Sequence, residues 1–200
     1  MRLRLLLVVL AGFLIGAIGG AAVLLTKGAP APPVETTGKA LIGGHFALID
    51  QTGKPITDRD FRGRYLLVFF GFTHCPDICP TELQVMAAAL EALSPQERKE
   101  IVPVFITLDP ERDTPEVMAT YVKNFGQDFV GLTGSAESIS AVAKAYRIVY
   151  SKFQQDKTSG DYTIDHSSLV YLMDKNGDYI THFAYGIPAA KITEMLRRYL

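Results

Sequence analysis

The sequence predicts an α/β fold in which a mixed β-sheet is flanked by helices. Two apolar runs, 65–72 and 101–108, are too short for helices and have the unbroken hydrophobicity of strands buried on both faces. Segments with apolar residues at helical spacing alternate with these strands. Such alternation is typical of a partly parallel sheet covered on both faces, and a hairpin near the end of the chain makes the sheet mixed.

The predicted elements follow one another without an internal repeat. Residues 50–53 form a turn between two short strands, and Asn176-Gly177 favours the turn of a second hairpin. Pro103 indicates that the second apolar strand either starts there or has a lapse in its ladder. The order is hairpin, strand (65–72), helix (81–93), strand (101–108), helix (from 115), strand (129–132), helix (135–146), hairpin (169–173 with 179–183) and helix (188–200).

Residues 1–27 are predicted to be a transmembrane anchor. Residues 5–25 carry no charge, and at about 1.5 Å per residue a helix of this length spans the hydrocarbon core of a bilayer. Arg2 and Arg4 precede the segment and only Lys27 closely follows it, which places the domain in a periplasm or an equivalent space. The alternative is a signal peptide cleaved near 29–31.

The rest of the chain is expected to be a linker and one domain. Residues 28–40 are rich in proline, glycine and threonine and lack an apolar period, as in an extended linker. Residues 41–200 contain the alternating elements. A chain of 200 residues with 48% hydrophobic content suits one core rather than two full domains.

The charge distribution argues against nucleic acid as a partner. The formal net charge is -1 at pH 7, and no run of five like charges occurs. We therefore expect partners of another kind.

The chain contains only two cysteines, Cys75 and Cys79, and they stand where the first apolar strand gives way to a helix. Functional sites of open α/β sheets lie at this edge, and a helix N-terminus stabilises thiolates. The spacing brings both sulfurs to one side, where they can bond to each other or hold one metal ion. A purely structural disulfide closing so short a ring would add only about 2 kcal/mol, so we favour a functional pair.

Two thiolates and one imidazole form a soft donor set of low coordination that suits copper, particularly Cu(I), whereas zinc usually takes a fourth ligand. His166 precedes the strand 169–173 and can overhang the edge that carries the cysteines, with Asp165 to orient its ring. His74 adjoins Cys75, but its ring need not face the same ion. His45 and His182 have nothing that marks them as ligands. The spacing alone leaves open whether His166 is a ligand or a structural residue.

Three segments resemble the Sco/SenC family of copper-binding assembly proteins. They are Phe-Thr-His-Cys-Pro-Asp-Ile-Cys-Pro at 72–80, Thr-Leu-Asp-Pro-Glu-Arg-Asp-Thr-Pro at 107–115, and Asp-His-Ser at 165–167 before a strand. The likeness extends from about Leu41 to the end of the chain, and the predicted anchor and linker also fit the family.

The resemblance implies a thioredoxin-like fold and a site for Cu(I) or Cu(II) formed by Cys75, Cys79 and His166. Residues 150–162 match the family's hairpin-like insertion beside the histidine. The implied function is a metallochaperone that helps to mature the dinuclear copper centre of cytochrome c oxidase subunit II. An upstream copper chaperone is a further candidate partner.

A thiol-disulfide reductase is the alternative, and it would make the chain an enzyme. Cys75 and Cys79 would then cycle between dithiol and disulfide to keep the acceptor's cysteines reduced, and His166 would be dispensable. Ordinary thioredoxin-like reductases carry Cys-x-x-Cys and a cis-proline facing it. The longer spacing here, and the absence of proline between Pro115 and Pro188, favour metal binding over general disulfide exchange.

Overall fold

The computed structural model describes residues 41–154 and 162–200. The predicted anchor (5–25), the linker (28–40) and the turn of the predicted insertion lie outside the described residues. Within the two described ranges, no helix has both the length and the hydropathy needed to cross a membrane. The division into 1–27, 28–40 and 41–200 stays a prediction.

In the described part of the chain, seven strands form one mixed sheet and two more form a separate antiparallel ribbon. The strands are β1 (Ala47–Asp50), β2 (Pro55–Thr57), β3 (Tyr65–Gly71), β4 (Ile101–Thr107), β5 (Val130–Thr133), β6 (Tyr150–Gln154), β7 (Tyr162–His166), β8 (Leu169–Met173) and β9 (Tyr179–Ala184). Their order in the sheet is β2-β1-β5-β4-β3-β8-β9, and β6 pairs with β7. Among the strands of the described residues, only the β3–β4 and β4–β5 pairs are parallel.

The helices alternate with the parallel strands, as predicted. They are a 3-10 turn (Asp58–Phe61), α1 (Ile78–Glu91), α2 (Pro95–Lys99), α3 (Pro115–Val122), α4 (Ala136–Ala145) and α5 (Ala189–Arg197). The short α2 is absent from the predicted order, because a Ser-Pro pair after a helix fits the end of that helix as well as the start of a new one. Ser94 instead caps a new helix, accepting a hydrogen bond from the Glu97 N–H while the Glu97 side chain accepts from the Ser94 N–H.

The parallel strands β3 and β4 form the centre of the core. All seven residues of β4 are buried, and because successive side chains point to opposite faces, both faces are covered here. The rings of Phe69 and Phe105 stack with centroids 6.2 Å apart. Pro103 is the third residue of β4 and does not interrupt its pairing with β3. The pairing with β5 begins only at Val104, so the proline stands where the strand has one neighbour.

Helix α1 begins at Ile78, three residues earlier than predicted, so that Cys79 lies in its first turn. The side chains of Cys79, Leu83, Met86 and Leu90 follow at helical spacing and are buried in the core. Helix α5 packs against α1. The mixed sheet flanked by helices is therefore confirmed, and α1 brings one predicted ligand into the interior.

Glu82 is the exception on the buried face of α1. Its side chain is 1% exposed, and neither carboxyl oxygen has a hydrogen-bond partner among the described residues. Burial raises the pKa of Glu82, and the nearby N–H of Gly186 only partly offsets this effect. The folded protein therefore holds the Glu82 proton more tightly than the unfolded chain does.

We expect Glu82→Gln to stabilise the protein increasingly as the pH rises. When the pKa of a carboxyl group is higher in the folded state than in the unfolded state, its contribution to the unfolding free energy is complete below the unfolded-state pKa. That contribution is lost as the pH rises through the folded-state pKa. Glutamine does not ionise, so the unfolding free energy of the variant should exceed that of the wild type by about 1 kcal/mol at mildly alkaline pH and by less in acid. Denaturant unfolding across this pH range measures the difference. The control is Glu91→Gln at the exposed end of α1. A difference for Glu82→Gln that does not change with pH would contradict the assignment.

Candidate metal centre

The end of β3 and the start of α1 place both cysteines at the carboxyl edge of the parallel strands. Cys75 lies in the loop between them and is partly exposed, whereas Cys79 is fully buried. Gly71, the last residue of β3, makes room for this arrangement. A Cβ atom there would lie 2.7 Å from the Cys79 Sγ and 3.0 Å from the Phe105 ring, so any side chain would displace the sulfur or the ring.

The two thiols are free and chemically unequal. A hydrogen bond from the Cys79 thiol lowers the pKa of Cys75 to about 5, with further help from the N–H groups of Cys79 and Asp77 and from the nearby His166, against the effect of burial. The Cys79 N–H lies 3.4 Å from the Cys75 Sγ. The same thiol hydrogen bond and its burial raise the pKa of Cys79. At neutral pH the pair therefore consists of one thiolate and one thiol.

His166 is the last residue of β7 and reaches the cysteines from a distant part of the chain. Its Nε2 lies 3.6 Å from the Cys79 Sγ, although the two residues are 87 positions apart. Its Nδ1 lies 3.0 Å from the Ser167 carbonyl oxygen. Because that oxygen only accepts, Nδ1 carries a proton, and Nε2 is the ring nitrogen that faces the sulfur. The rings of Phe69 and Phe72 meet the imidazole edge to face, each with centroids 6.1 Å away.

The structure thus places the two other predicted ligands, Cys75 and His166, beside Cys79. A separation of 3.6 Å suits a sulfur and a nitrogen that share one ion with bonds of about 2.0 to 2.3 Å. Over the described ranges, however, no three His, Cys, Asp or Glu side chains are already spaced around a common centre as in a formed site. The donor set, two sulfurs and one imidazole, fits copper better than a hard cation.

The other histidines do not join this group. The His45 side chain is 77% exposed and lies 3.2 Å from Asp58, and His182 is paired with the Tyr179 hydroxyl at 2.6 Å. The Nδ1 atom of His74 lies 3.2 Å from the Thr73 hydroxyl. Across residues 41–154 and 162–200, none of the three has a hydrogen bond with either cysteine.

Asp165 does not orient His166, contrary to the prediction. It is exposed, whereas His166 is partly buried, because neighbouring residues of a strand point to opposite faces. The Ser167 carbonyl oxygen takes this role instead.

Asp113 stabilises the cysteine loop, a role that was not predicted from the sequence. Its fully buried carboxylate accepts hydrogen bonds from the Thr73 N–H (3.0 Å), the Thr73 hydroxyl (2.5 Å) and the Thr107 hydroxyl (2.5 Å). Its carbonyl oxygen accepts from the Thr133 hydroxyl at 2.8 Å. Asp113 therefore joins the ends of β3, β4 and β5. The available signal was its place in the loop between a buried strand and the next helix, at the edge of the sheet where sites lie.

We expect Cys75 to react with iodoacetamide as a thiolate down to mildly acidic pH, while Cys79 stays inert. The rate constant should be half-maximal near pH 5, because only the thiolate attacks and the pKa of Cys75 is about 5. Cys79→Ala should move this midpoint upward by removing the thiol that donates to Cys75. Mass spectrometry of the alkylated protein identifies the site, and Cys75→Ser is the control. A midpoint that stays near the ordinary thiol pKa in the wild type would contradict this account.

Comparison with known proteins assigns the chain to a family. The model of the family described as SCO1/SenC matches residues 34–200. A SCO2-like protein of Rickettsia prowazekii is 42% identical over 196 residues, which cover 96% of this chain and 95% of that protein. The mitochondrial SCO1 homologue of Homo sapiens is 43% identical over 167 residues, covering 81% of this chain. The chain spans only 55% of that human protein.

Solved structures agree in fold. ScoI of Bradyrhizobium japonicum with copper bound has a TM-score of 0.73 at 40% identity, covering 80% of this chain and 99% of that one. Yeast Sco1 with copper bound has a TM-score of 0.71 at 35% identity, covering 80% and 90%. With its mixed sheet, its paired cysteines and its matching sequence from residue 34 onward, the chain belongs to the SCO1/SenC family.

Proposed function

We propose that this chain is a copper metallochaperone in which Cys75, Cys79 and His166 hold Cu(I) or Cu(II) and pass it to an acceptor. The observation that carries the proposal is the approach of His166 Nε2 to within 3.6 Å of the Cys79 sulfur. The copper bound by the similar proteins of Bradyrhizobium japonicum and yeast supports this choice of metal.

The proposed transfer is a ligand exchange without a change in the oxidation state of copper. The Cys75 thiolate binds the ion first, and Cys79 releases its proton as its sulfur becomes a second ligand. The lone pair of His166 Nε2 completes a site of three ligands. Such low coordination leaves room for an acceptor ligand to bind the ion before a bond to this chain breaks.

The family resemblance and the N-terminal sequence extend the proposal to partners and location. The acceptor is the dinuclear copper centre of cytochrome c oxidase subunit II, and an upstream copper chaperone supplies the ion. Residues 5–25 anchor the chain in a membrane, and residues 28–40 link them to the domain (41–200) in the periplasm or an equivalent space.

Replacing any one of Cys75, Cys79 or His166 with alanine should weaken Cu(I) binding sharply. Each substitution removes one of three bonds, and we expect a loss of at least about tenfold, the lower end of the effect seen for residues that merely orient ligands. Competition with a chromophoric Cu(I) chelator measures the affinity of the reduced protein. The controls are His45→Ala and His182→Ala, which should bind as the wild type does. Equal losses of affinity at His45, His166 and His182 would contradict the ligand assignment.

A thiol-disulfide reductase is the second candidate, and the inequality of the two thiols favours it. The Cys75 thiolate would attack an acceptor disulfide, forming a mixed disulfide and releasing one acceptor thiolate. Cys79, after losing its proton, would attack the Cys75 sulfur and release the second. Two electrons would thus pass to the acceptor, and this chain would keep a Cys75–Cys79 disulfide.

The two functions differ in their need for His166. If copper transfer is the main role, cells that carry His166→Ala should assemble little active cytochrome c oxidase, because the third ligand is missing. Oxidase activity and the copper content of subunit II measure this, with His182→Ala as the control. Normal assembly with His166→Ala, together with a failure of Cys75→Ala, would favour the reductase.

A further inference from the structure

The ribbon that carries His166 lies outside the main sheet, so its position depends on side-chain contacts. Strands β6 and β7 pair with each other and with no strand of the seven-stranded sheet in the described residues. Tyr162, Ile164 and His166 alternate along β7 and therefore share one face. Ile164 is 4% exposed and belongs to the core, which shows that this face is turned toward the domain. The docking of this face decides where the His166 ring lies.

One end of the face is fixed by Asp109, which is fully buried. The Tyr162 hydroxyl donates a hydrogen bond to Asp109 Oδ1 at 2.6 Å. Arg112 donates from Nε to the other oxygen of the same carboxylate. Asp109 therefore links the loop after β4 directly to the first residue of β7. We call Asp109, Arg112 and Tyr162 the hairpin clamp.

Arg112 strengthens this link in two further ways. Its Nη1 donates to the Tyr162 carbonyl oxygen at 3.1 Å, and its guanidinium lies 3.8 Å from the centre of the Tyr162 ring. Asp109 thus binds the hydroxyl of Tyr162, while Arg112 contacts its ring and binds its carbonyl oxygen. The ammonium of Lys152, on β6, lies 4.7 Å from the same ring and forms an ion pair with Glu111 at 2.8 Å.

The clamp begins on the loop that also supports the cysteines. Asp109 and Arg112 belong to residues 109–113, and Asp113 at the end of that loop binds Thr73, two residues before Cys75. The Asp109 N–H donates to the Thr107 hydroxyl at 2.8 Å, and this hydroxyl donates to Asp113. One short loop thus holds both halves of the candidate metal centre.

We propose that the hairpin clamp positions His166 for copper and influences copper binding only through His166. This inference rests on the proposed function. The clamp residues have no hydrogen bond with Cys75, Cys79 or His166 in the described part of the chain, so they are positioning residues rather than ligands. Without the clamp, the first residue of β7 is free to move away from the loop, and the ring four residues further on loses its alignment with the Cys79 sulfur. The site then keeps two thiolates and holds its third ligand poorly.

The experiment compares two Tyr→Phe variants of the full chain, purified in detergent. Tyr162→Phe deletes the hydroxyl that binds Asp109. Tyr150→Phe is the matched control, because the Tyr150 hydroxyl has no hydrogen bond in the described residues. Tyr150 lies on β6, directly opposite His166 in the ribbon. We expect Tyr162→Phe to lower the Cu(I) affinity about tenfold, as loss of an orienting partner does, and Tyr150→Phe to leave it unchanged. The nitrogen hyperfine coupling in the EPR spectrum of the Cu(II) form should weaken only in Tyr162→Phe.

A double variant separates positioning from general damage to the fold. If the clamp acts only through His166, adding Tyr162→Phe to His166→Ala should cause no further loss of affinity. Arg112→Gln removes the contact with the Tyr162 ring and the ion pair with Asp109. Alone it should lower the Cu(I) affinity more than Tyr162→Phe does, and in the His166→Ala background it should cause no further loss. A full additional loss in the His166→Ala background would overturn the proposal, as would a Tyr162→Phe affinity equal to that of Tyr150→Phe.

These outcomes also distinguish the clamp from the proposed function itself. If the wild type binds no copper, or His166→Ala binds it normally, the three-ligand copper site is wrong and the clamp proposal fails with it. If His166→Ala weakens binding and Tyr162→Phe does not, only the clamp proposal fails.

Discussion

The buried carboxylate of Asp113 is the constraint on which the candidate site depends. It lies at the edge where β3, β4 and β5 end, and it takes hydrogen bonds from the segments that follow or finish β3 and β4, while its carbonyl oxygen takes one from β5. A buried carboxylate without such partners would cost several kcal/mol, so these segments cannot separate cheaply. Because Thr73 is among the donors, the start of the cysteine loop is fixed to the sheet before any metal binds.

The inequality of the thiols follows from this rigid start and from the packing of helix α1. Gly71 leaves space for the Cys79 sulfur inside the core, whereas Cys75 stays in the loop and remains partly exposed. The buried Cys79 thiol keeps its proton and donates a hydrogen bond to the Cys75 sulfur. The Cys75 sulfur is therefore an anion in neutral solution. An anionic sulfur at the surface can receive a cation from outside, and a neutral sulfur behind it becomes a second ligand only when its proton leaves. Copper binding should thus release protons, and acid should favour release of the metal.

The buried strands and the position of the cysteines were predictable from the sequence. The direction of His166 and the contacts of Asp165 and Asp109 were not, and each has a physical reason. Strands β3 and β4 were predictable because a strand that is buried on both faces needs an unbroken run of apolar residues. The position of Cys75 and Cys79 after β3 then indicated which edge of the sheet carries the site. The spacing could not decide whether His166 faces the thiols, because its direction depends on how the ribbon docks against the loop at 109–113. The family resemblance supplied that assignment. The predicted role of Asp165 is wrong because strand alternation turns its side chain away from that of His166. Asp109 has no periodic pattern around it that would indicate its contact with Tyr162.

The contrast between the two halves of the site has a consequence for metal transfer. The thiols belong to the main sheet and its first helix, where core packing and Asp113 resist movement. The imidazole belongs to a two-stranded ribbon whose β6 side chains are mostly exposed and which contacts the domain mainly through one face of β7. Fewer buried contacts mean a smaller free energy of local opening. Local opening of the ribbon would therefore move His166 without unfolding the main sheet, and Cys79 would stay packed in the core.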